Sequence, residues 1–82
     1  MTRFNKLKEK IEQERTRRDI SYDELENYLN HYRYYLVRTN GSHHIFKKND
    51  ISISIPVHNN KVKATYVRKV SDMIKGEETK WH

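Results

Sequence analysis

The sequence predicts an α+β domain with an α-β-β-β-α core: a three-stranded antiparallel sheet with two helices on one face, preceded by an extra N-terminal helix. Three observations carry this prediction. Ser21-Tyr22-Asp23-Glu24 is a capping box opening a helical apolar stripe. Asn40-Gly41 separates two runs rich in aromatic and β-branched residues, as a hairpin turn does. Ile51, Ile53, Ile55 and Val57 alternate with Ser52, Ser54, Pro56 and His58, the period of a strand with one buried face.

Residues 1–19 read as a basic amphipathic helix. Phe4, Leu7 and Ile11 fall at i, i+3 and i+7 on one stripe, but Glu12, Arg15, Arg17 and Arg18 offer no apolar continuation, so the helix is expected to end or turn near Thr16. Its narrow seam suits packing on the domain; binding a partner protein or laying its arginines on RNA are the other uses open to it.

The domain proper spans residues 20–76. After the capping box, Tyr22, Leu25, Tyr28 and Leu29 form the buried stripe of a helix ending near His31, and its early acids suit the positive end of the helix dipole. Tyr34 to Thr39 reads as a strand, Asn40-Gly41 as a type I′ turn and Ser42 to Lys48 as the returning strand. Asn49-Asp50 offers a second tight turn before the isoleucine strand, which Pro56 ends or confines to an edge. His58 to Lys63 reads as a loop. The closing helix is expected from about Thr65, as N-cap, to Lys75, with Val67, Val70 and Ile74 inward and Gly76 as the stop. Residues 77–82 read as a loose charged tail in which Trp81 has no evident role. Both helices can cover one sheet face, which leaves the other for a partner.

Composition limits what such a domain can do. At 82 residues there is room for one small core, and with no cysteine there is neither a disulfide nor a thiolate-zinc staple. No stretch approaches the roughly 18 apolar residues of a membrane span, and the N-terminus lacks the apolar centre of a signal peptide, so a soluble cytoplasmic protein is expected. Seventeen basic against eleven acidic residues give a formal charge of +6, and Arg33 to Lys75 holds nine basic residues against only Asp50 and Asp72. This excess favours a polyanionic partner for the C-terminal two-thirds, although scattered lysines also serve solubility alone.

The most informative segment is Gly41-Ser42-His43-His44. It places a titratable side chain just beyond a tight turn, with Arg38, Lys47 and Lys48 nearby to attract phosphate. Adjacent strand residues point to opposite faces, so only one of the two histidines can readily meet a substrate.

The ordered set Leu-Val-Arg-x-x-Gly-Ser-His-His-x-Phe (Leu36 to Phe46), Ile53 to Pro56, His58 and Lys63 to Val70 resembles the HicA family of type II toxin-antitoxin toxins. The likeness covers about Ile20 to Ile74, and Ile20 to Leu25 behind a basic helix looks like a long-armed subgroup. The resemblance implies a double-stranded-RNA-binding-like fold and an endoribonuclease that cuts mRNA without the ribosome and is silenced by a HicB-type antitoxin. It maps the catalytic histidine onto His43 and the turn glycine onto Gly41. The sequence departs from the family pattern at Arg33, where many members have glycine, and at Ala64-Thr65, where Pro-Gly or Pro-x is common.

The chemistry at this turn suits RNA. RNA cleaves itself when its 2′-hydroxyl is deprotonated and aligned on the adjacent phosphorus, and an imidazole with an ordinary pKa of about 6.5 serves as base or acid near neutrality. Arg38, Lys47 or Lys48 would offset charge growing on the phosphoryl oxygens, and Ser42 would orient phosphate or imidazole. Gly41 permits positive φ and gives the RNA backbone room to approach. Facing assigns His43 to the side of Ile45 and Lys47, and His44 to the side of Phe46. His44 and His58 suit structural or RNA-contacting roles, and His31 reads as the exposed end of a helix. A second proton carrier is left open among water, Lys47, His58 and another subunit.

No metal or other cofactor is expected, since no spacing brings three ligands together and the surroundings of His43 are nearly free of acids. Of the aromatics that can stack bases (Tyr32, Tyr34, Tyr35, Phe46 and Tyr66), most fit the core, and Tyr35 is the best exception. The rival reading is a non-catalytic RNA-binding module that uses the same basic face for phosphate and 2′-hydroxyl contacts. A protein-interaction unit meeting an acidic antitoxin through that face is compatible with either.

Overall fold

A computed structural model describes residues 3–14 and 19–79. The elements are α1 (Arg3–Glu14), β1 (Ile20–Ser21), α2 (Tyr22–His31), β2 (Tyr35–Asn40), β3 (His43–Lys48), β4 (Ile51–Pro56), β5 (Lys61–Val62) and α3 (Ala64–Thr79). β2, β3 and β4 form an antiparallel sheet in that order, so β3 is central and its neighbours are edges. This is the expected α-β-β-β-α core with a helix added in front.

One face of the sheet closes the core. Phe46 of β3 and Ile55 of β4 are fully buried with Leu25, Tyr28 and Leu29 of α2 and Val67, Val70 and Ile74 of α3. α1 packs on α2 and α3, with Ile11 buried and Phe4 and Leu7 against the same cluster, so its seam is structural. Lys10 of α1 reaches Glu24 at 2.7 Å, and this hydrogen-bonded ion pair holds the Glu24 carboxyl below its ordinary pKa. Arg15, Arg17, Arg18 and Trp81, whose roles the sequence leaves open, lie outside the described residues. Among the described residues no helix is long and apolar enough to cross a membrane.

The capping box forms as expected: Glu24 N–H donates to Ser21 Oγ at 3.2 Å, and the Glu24 carboxylate accepts from Ser21 N–H at 3.4 Å. At its other end α2 closes in a Schellman arrangement. Tyr34 N–H donates to the Leu29 carbonyl at 2.9 Å and Arg33 N–H to that of Asn30 at 3.0 Å, with Arg33 at φ +71°. That left-handed conformation favours glycine, so a physical reason exists for the glycine of the family pattern at this position.

Several boundaries differ from the sequence expectation. The β2–β3 turn is Gly41-Ser42, not Asn40-Gly41, because Asn40 pairs with His43; Gly41 has φ +63° and Ser42 does not share the sign, as in a type II′ turn. The two-positive-φ turn occurs instead at Asn59-Asn60, with φ of +52° and +62°. It lies in the segment expected to be a loop, where β5 pairs with β1 and buries Val62.

α3 begins at Ala64 rather than being capped by Thr65, and its cap comes from outside the helix. The Ala64 N–H donates to Asp19 Oδ1 at 3.1 Å, a bond that proline at this position would lack. Nor does Gly76 stop the helix, which continues to Thr79, so residues 77–79 belong to α3 and not to a loose tail. A helical glycine costs about 1 kcal/mol. Glu77 offsets this by accepting from the Tyr34 hydroxyl at 2.7 Å and meeting Lys48 Nζ at 3.8 Å, while the same Lys48 Nζ lies 5.4 Å from the Tyr34 ring centre.

Replacing Arg33 with glycine should relieve the left-handed strain and, after the entropy lost by glycine, stabilise the fold by about 0.5–1 kcal/mol, read as a higher thermal midpoint. A lower midpoint would contradict the assigned conformation. Alkaline pH should have the opposite effect. Burial, reinforced by Glu26, pushes the Tyr22 hydroxyl up to about 12, and burial also raises Tyr28, beside Glu12, and Tyr34, beside Glu77. The unfolded chain releases these protons near pH 10, so the stability they confer is complete below that pH and is lost as pH climbs towards 12. Thermal midpoints should fall across this range, and less steeply in Tyr22→Phe.

Candidate functional site

The facing of β3 organises the candidate residues. Its buried side carries Phe46 and His44, and the Tyr22 ring centre lies 4.5 Å from that of His44 and 6.3 Å from that of Phe46. His44 Nδ1 stands 3.3 Å from the Ser42 carbonyl oxygen, a hydrogen bond when the proton is on Nδ1. His43, Ile45 and Lys47 therefore face the open side, and His43 and Lys47 are exposed.

Directly paired residues of antiparallel strands share a face, so the register completes this surface. On β2, Asn40 pairs with His43, Arg38 with Ile45 and Tyr35 with Lys47. On β4, Pro56, Ser54 and Ser52 pair with the same three β3 residues. Tyr35 and Arg38, three residues apart, would lie on opposite faces of a regular strand. A β-bulge between Leu36 and Arg38 inserts Val37 and brings both to the His43 face. No pattern in the sequence announces that bulge, which brings Tyr35 and Arg38 onto one face, while Ser52 and Ser54 reach the same face by the unbroken β3–β4 register.

The surface is cationic. Its β2, β3 and β4 residues include Arg38 and Lys47 and no carboxylate; Asp50, the acid closest along the chain, sits in the turn beyond Lys48. Among the described residues the side chains of His43, Arg38 and Lys47 have no intramolecular partner and are available to a ligand. Lys48 is not part of this grouping, because it faces the core side and is engaged by Glu77 and Tyr34. His58 is exposed two residues beyond Pro56, the partner of His43, and Val57 N–H donates to the Ser42 carbonyl at 2.8 Å, tying this segment to the turn. His31, read as merely exposed, stacks on Phe4 with centroids 3.4 Å apart.

Gly41 is held by its backbone conformation alone. A Cβ there would meet nothing within 4 Å, so its role is the positive φ that aims β3 and the open approach beside His43. Among the described residues no group of three or more His, Cys, Asp or Glu side chains is placed to hold a metal ion.

A family model described as the HicA toxin of bacterial toxin-antitoxin systems matches residues 22–75, well over half of the chain. The chain belongs to the HicA family. HicA membership makes it a toxin of a toxin-antitoxin system, a class whose members are generally ribonucleases paired with an antitoxin. The HicA match begins at α2 and ends within α3, so it contains the whole open face and leaves α1 outside. Comparisons with curated proteins and with solved structures yield no match.

Gly41→Val should cost about 1–2 kcal/mol in chemical denaturation, from left-handed strain and not from collision. A loss of several kcal/mol more would mean that the turn is packed and not open.

Proposed function

We propose that this chain is a metal-independent endoribonuclease that cuts mRNA, with His43 as general acid or base, and that a HicB-type antitoxin silences it. The observation that carries this reading is the exposed, unengaged His43 on a cationic, carboxylate-free sheet face beside Arg38 and Lys47. The family supports an RNA substrate in general terms.

Cleavage needs three things from the protein. The ribose 2′-hydroxyl loses its proton to a base as its oxygen attacks the adjacent phosphorus. The P–O5′ bond breaks, and the leaving 5′-oxygen takes up a proton, giving a cyclic phosphate and a 5′-hydroxyl. His43 can serve one of the two proton transfers, with water or a neighbouring group such as His58 serving the other. Arg38, paired with Ile45 one same-face step from His43, is the nearer cation for the phosphoryl oxygens that gain negative charge, while Lys47, four residues along β3, meets the backbone farther from the bond. β3 supplies positioning, since a residue one step beyond a tight turn in a central strand is held more firmly than one in a loop.

An antitoxin laid over the open face would stop the reaction by occlusion, and acidic groups on it would match Arg38 and Lys47. Lys48 enters the scheme through Tyr34 and Glu77, by anchoring the far end of β3, and not through substrate.

Purified protein should cut single-stranded RNA in excess chelator, and His43→Ala should lower the rate by about 10²–10⁴-fold at an unchanged thermal midpoint. His44→Ala, in contrast, should lower the midpoint. Undiminished cleavage in His43→Ala would remove the mechanism. Salt-sensitive RNA binding without any cleavage would identify a binding module instead.

A further inference from the structure

We infer that Tyr35 is a base-stacking subsite, which makes the substrate single-stranded RNA held with an unpaired base on this ring a few nucleotides from the bond that His43 acts on. The inference rests on the reading that RNA is the substrate and adds where the strand lies and what form it must take.

The tyrosines themselves single out this position. Five of the six are committed: Tyr22, Tyr28 and Tyr34 donate to Glu26, Glu12 and Glu77, Tyr32 packs edge-on against Phe4 and Tyr28, and Tyr66 carries the Lys69 ammonium 5.3 Å from its ring centre. Tyr35 is 56% exposed, and among the described residues its ring has no aromatic or hydrogen-bonding partner. Leaving a tyrosine this open forgoes its burial energy, and folding gives no return for it.

Tyr35 also lies in line with His43. Tyr35 pairs with Lys47, which shares its face with Ile45 and His43, and the bulge at Val37 is what puts Tyr35 there. From Lys47 to His43 is roughly 13 Å along the strand at about 3.3 Å per residue. That is no more than about four nucleotides at the stacked spacing of about 3.4 Å along one strand, and fewer when the strand is extended. Arg38 pairs with Ile45 midway, where it can meet an intervening phosphate. Across β3 from Tyr35, the β4 residues that pair with Lys47 and Ile45 are the exposed serines Ser52 and Ser54, so no bulky side chain borders the face on that edge.

Charge complementarity selects nucleic acid as the occupant. The face offers Arg38 and Lys47 without a carboxylate and pairs them with one open aromatic ring, the combination by which single strands are held, with cations on the backbone and rings on the bases. A regular duplex keeps its bases stacked on one another and offers none to the ring.

Binding that does not depend on catalysis tests the inference. A fluorescein-labelled single-stranded RNA oligonucleotide, 2′-O-methylated throughout so that the 2′-oxygen cannot attack, is titrated with wild type, Tyr35→Ala and Tyr35→Phe by anisotropy. Tyr35→Ala should weaken binding roughly 5- to 150-fold, the range measured for loss of one stacked base, and Tyr35→Phe should stay near wild type. A single abasic position should cause a similar loss in wild type and no further loss in Tyr35→Ala. The corresponding RNA duplex should compete poorly.

Equal affinity of wild type and Tyr35→Ala, abasic and alanine losses that add, or equal competition by the duplex would overturn the inference. The first outcome, joined to weakened binding of an antitoxin, would assign the ring to a protein. Cleavage of unmodified RNA that still requires His43 would leave the ribonuclease reading intact in each case. The converse, ring-dependent binding with no cleavage, would sink that reading and keep this one.

Discussion

Burial of Phe46 fixes the direction of everything on β3. Its ring is fully enclosed between the sheet and the helices, and successive strand residues alternate, so His44 must face Tyr22 and His43 must face away. Neither histidine can exchange its side without moving Phe46 out of the core, a change on the order of 3–5 kcal/mol. The exposed imidazole is thus a consequence of packing and needs no local device to hold it outward. The bulge at Val37 extends the same constraint to β2 by bringing Arg38 and Tyr35 into phase with it.

The rest of the molecule keeps this sheet seated. Asp19 reaches across 45 positions to the first turn of α3, Arg33 accepts a left-handed conformation so that Tyr34 can enter the core, and Glu77 joins Tyr34 and Lys48 beyond Gly76. The last two anchor a helix end to the sheet or to the segment leading into it, and the first ties the start of α3 to the chain just before β1 of the two-stranded ribbon. At Arg33 the left-handed strain is borne by the Schellman bonds, and at Ala64 the first N–H of α3 is used by Asp19. α1 packs on α2 and α3, the helices that cover the core face of the sheet.

What was legible in the sequence was local or periodic. The capping box and the α2 stripe depend on residues within one element and form as read, whereas the isoleucine strand forms with only Ile55 fully buried: Ile53 is half-buried, Ile51 is 43% exposed at the open end of the sheet, and Val57 lies beyond Pro56, where β4 ends. The turn was misplaced by one residue because Asn-Gly and Gly-Ser are both sound two-residue turns, and only the pairing of Asn40 with His43 decides between them. β1 and β5, at two residues each, are too short to show a period, and the Asp19 cap is not local at all. At the candidate site alternation says only that His43 and His44 face apart; the resemblance chooses His43, and the burial of Phe46 puts it on the open side. Lys48 looked like a companion of Lys47 for want of the same argument, since neighbours on a strand face apart.

The central claim is that a cationic sheet face presents His43, and not His44, to an RNA strand. Its most direct measurement is two-dimensional long-range ¹H–¹⁵N correlation of the histidine rings during titration with an uncleavable single-stranded RNA. The account predicts that the His43 ring signals move in proportion to bound RNA while those of His44, held between Tyr22 and the Ser42 carbonyl, stay in place. Movement of the His44 ring with a stationary His43 ring would contradict it.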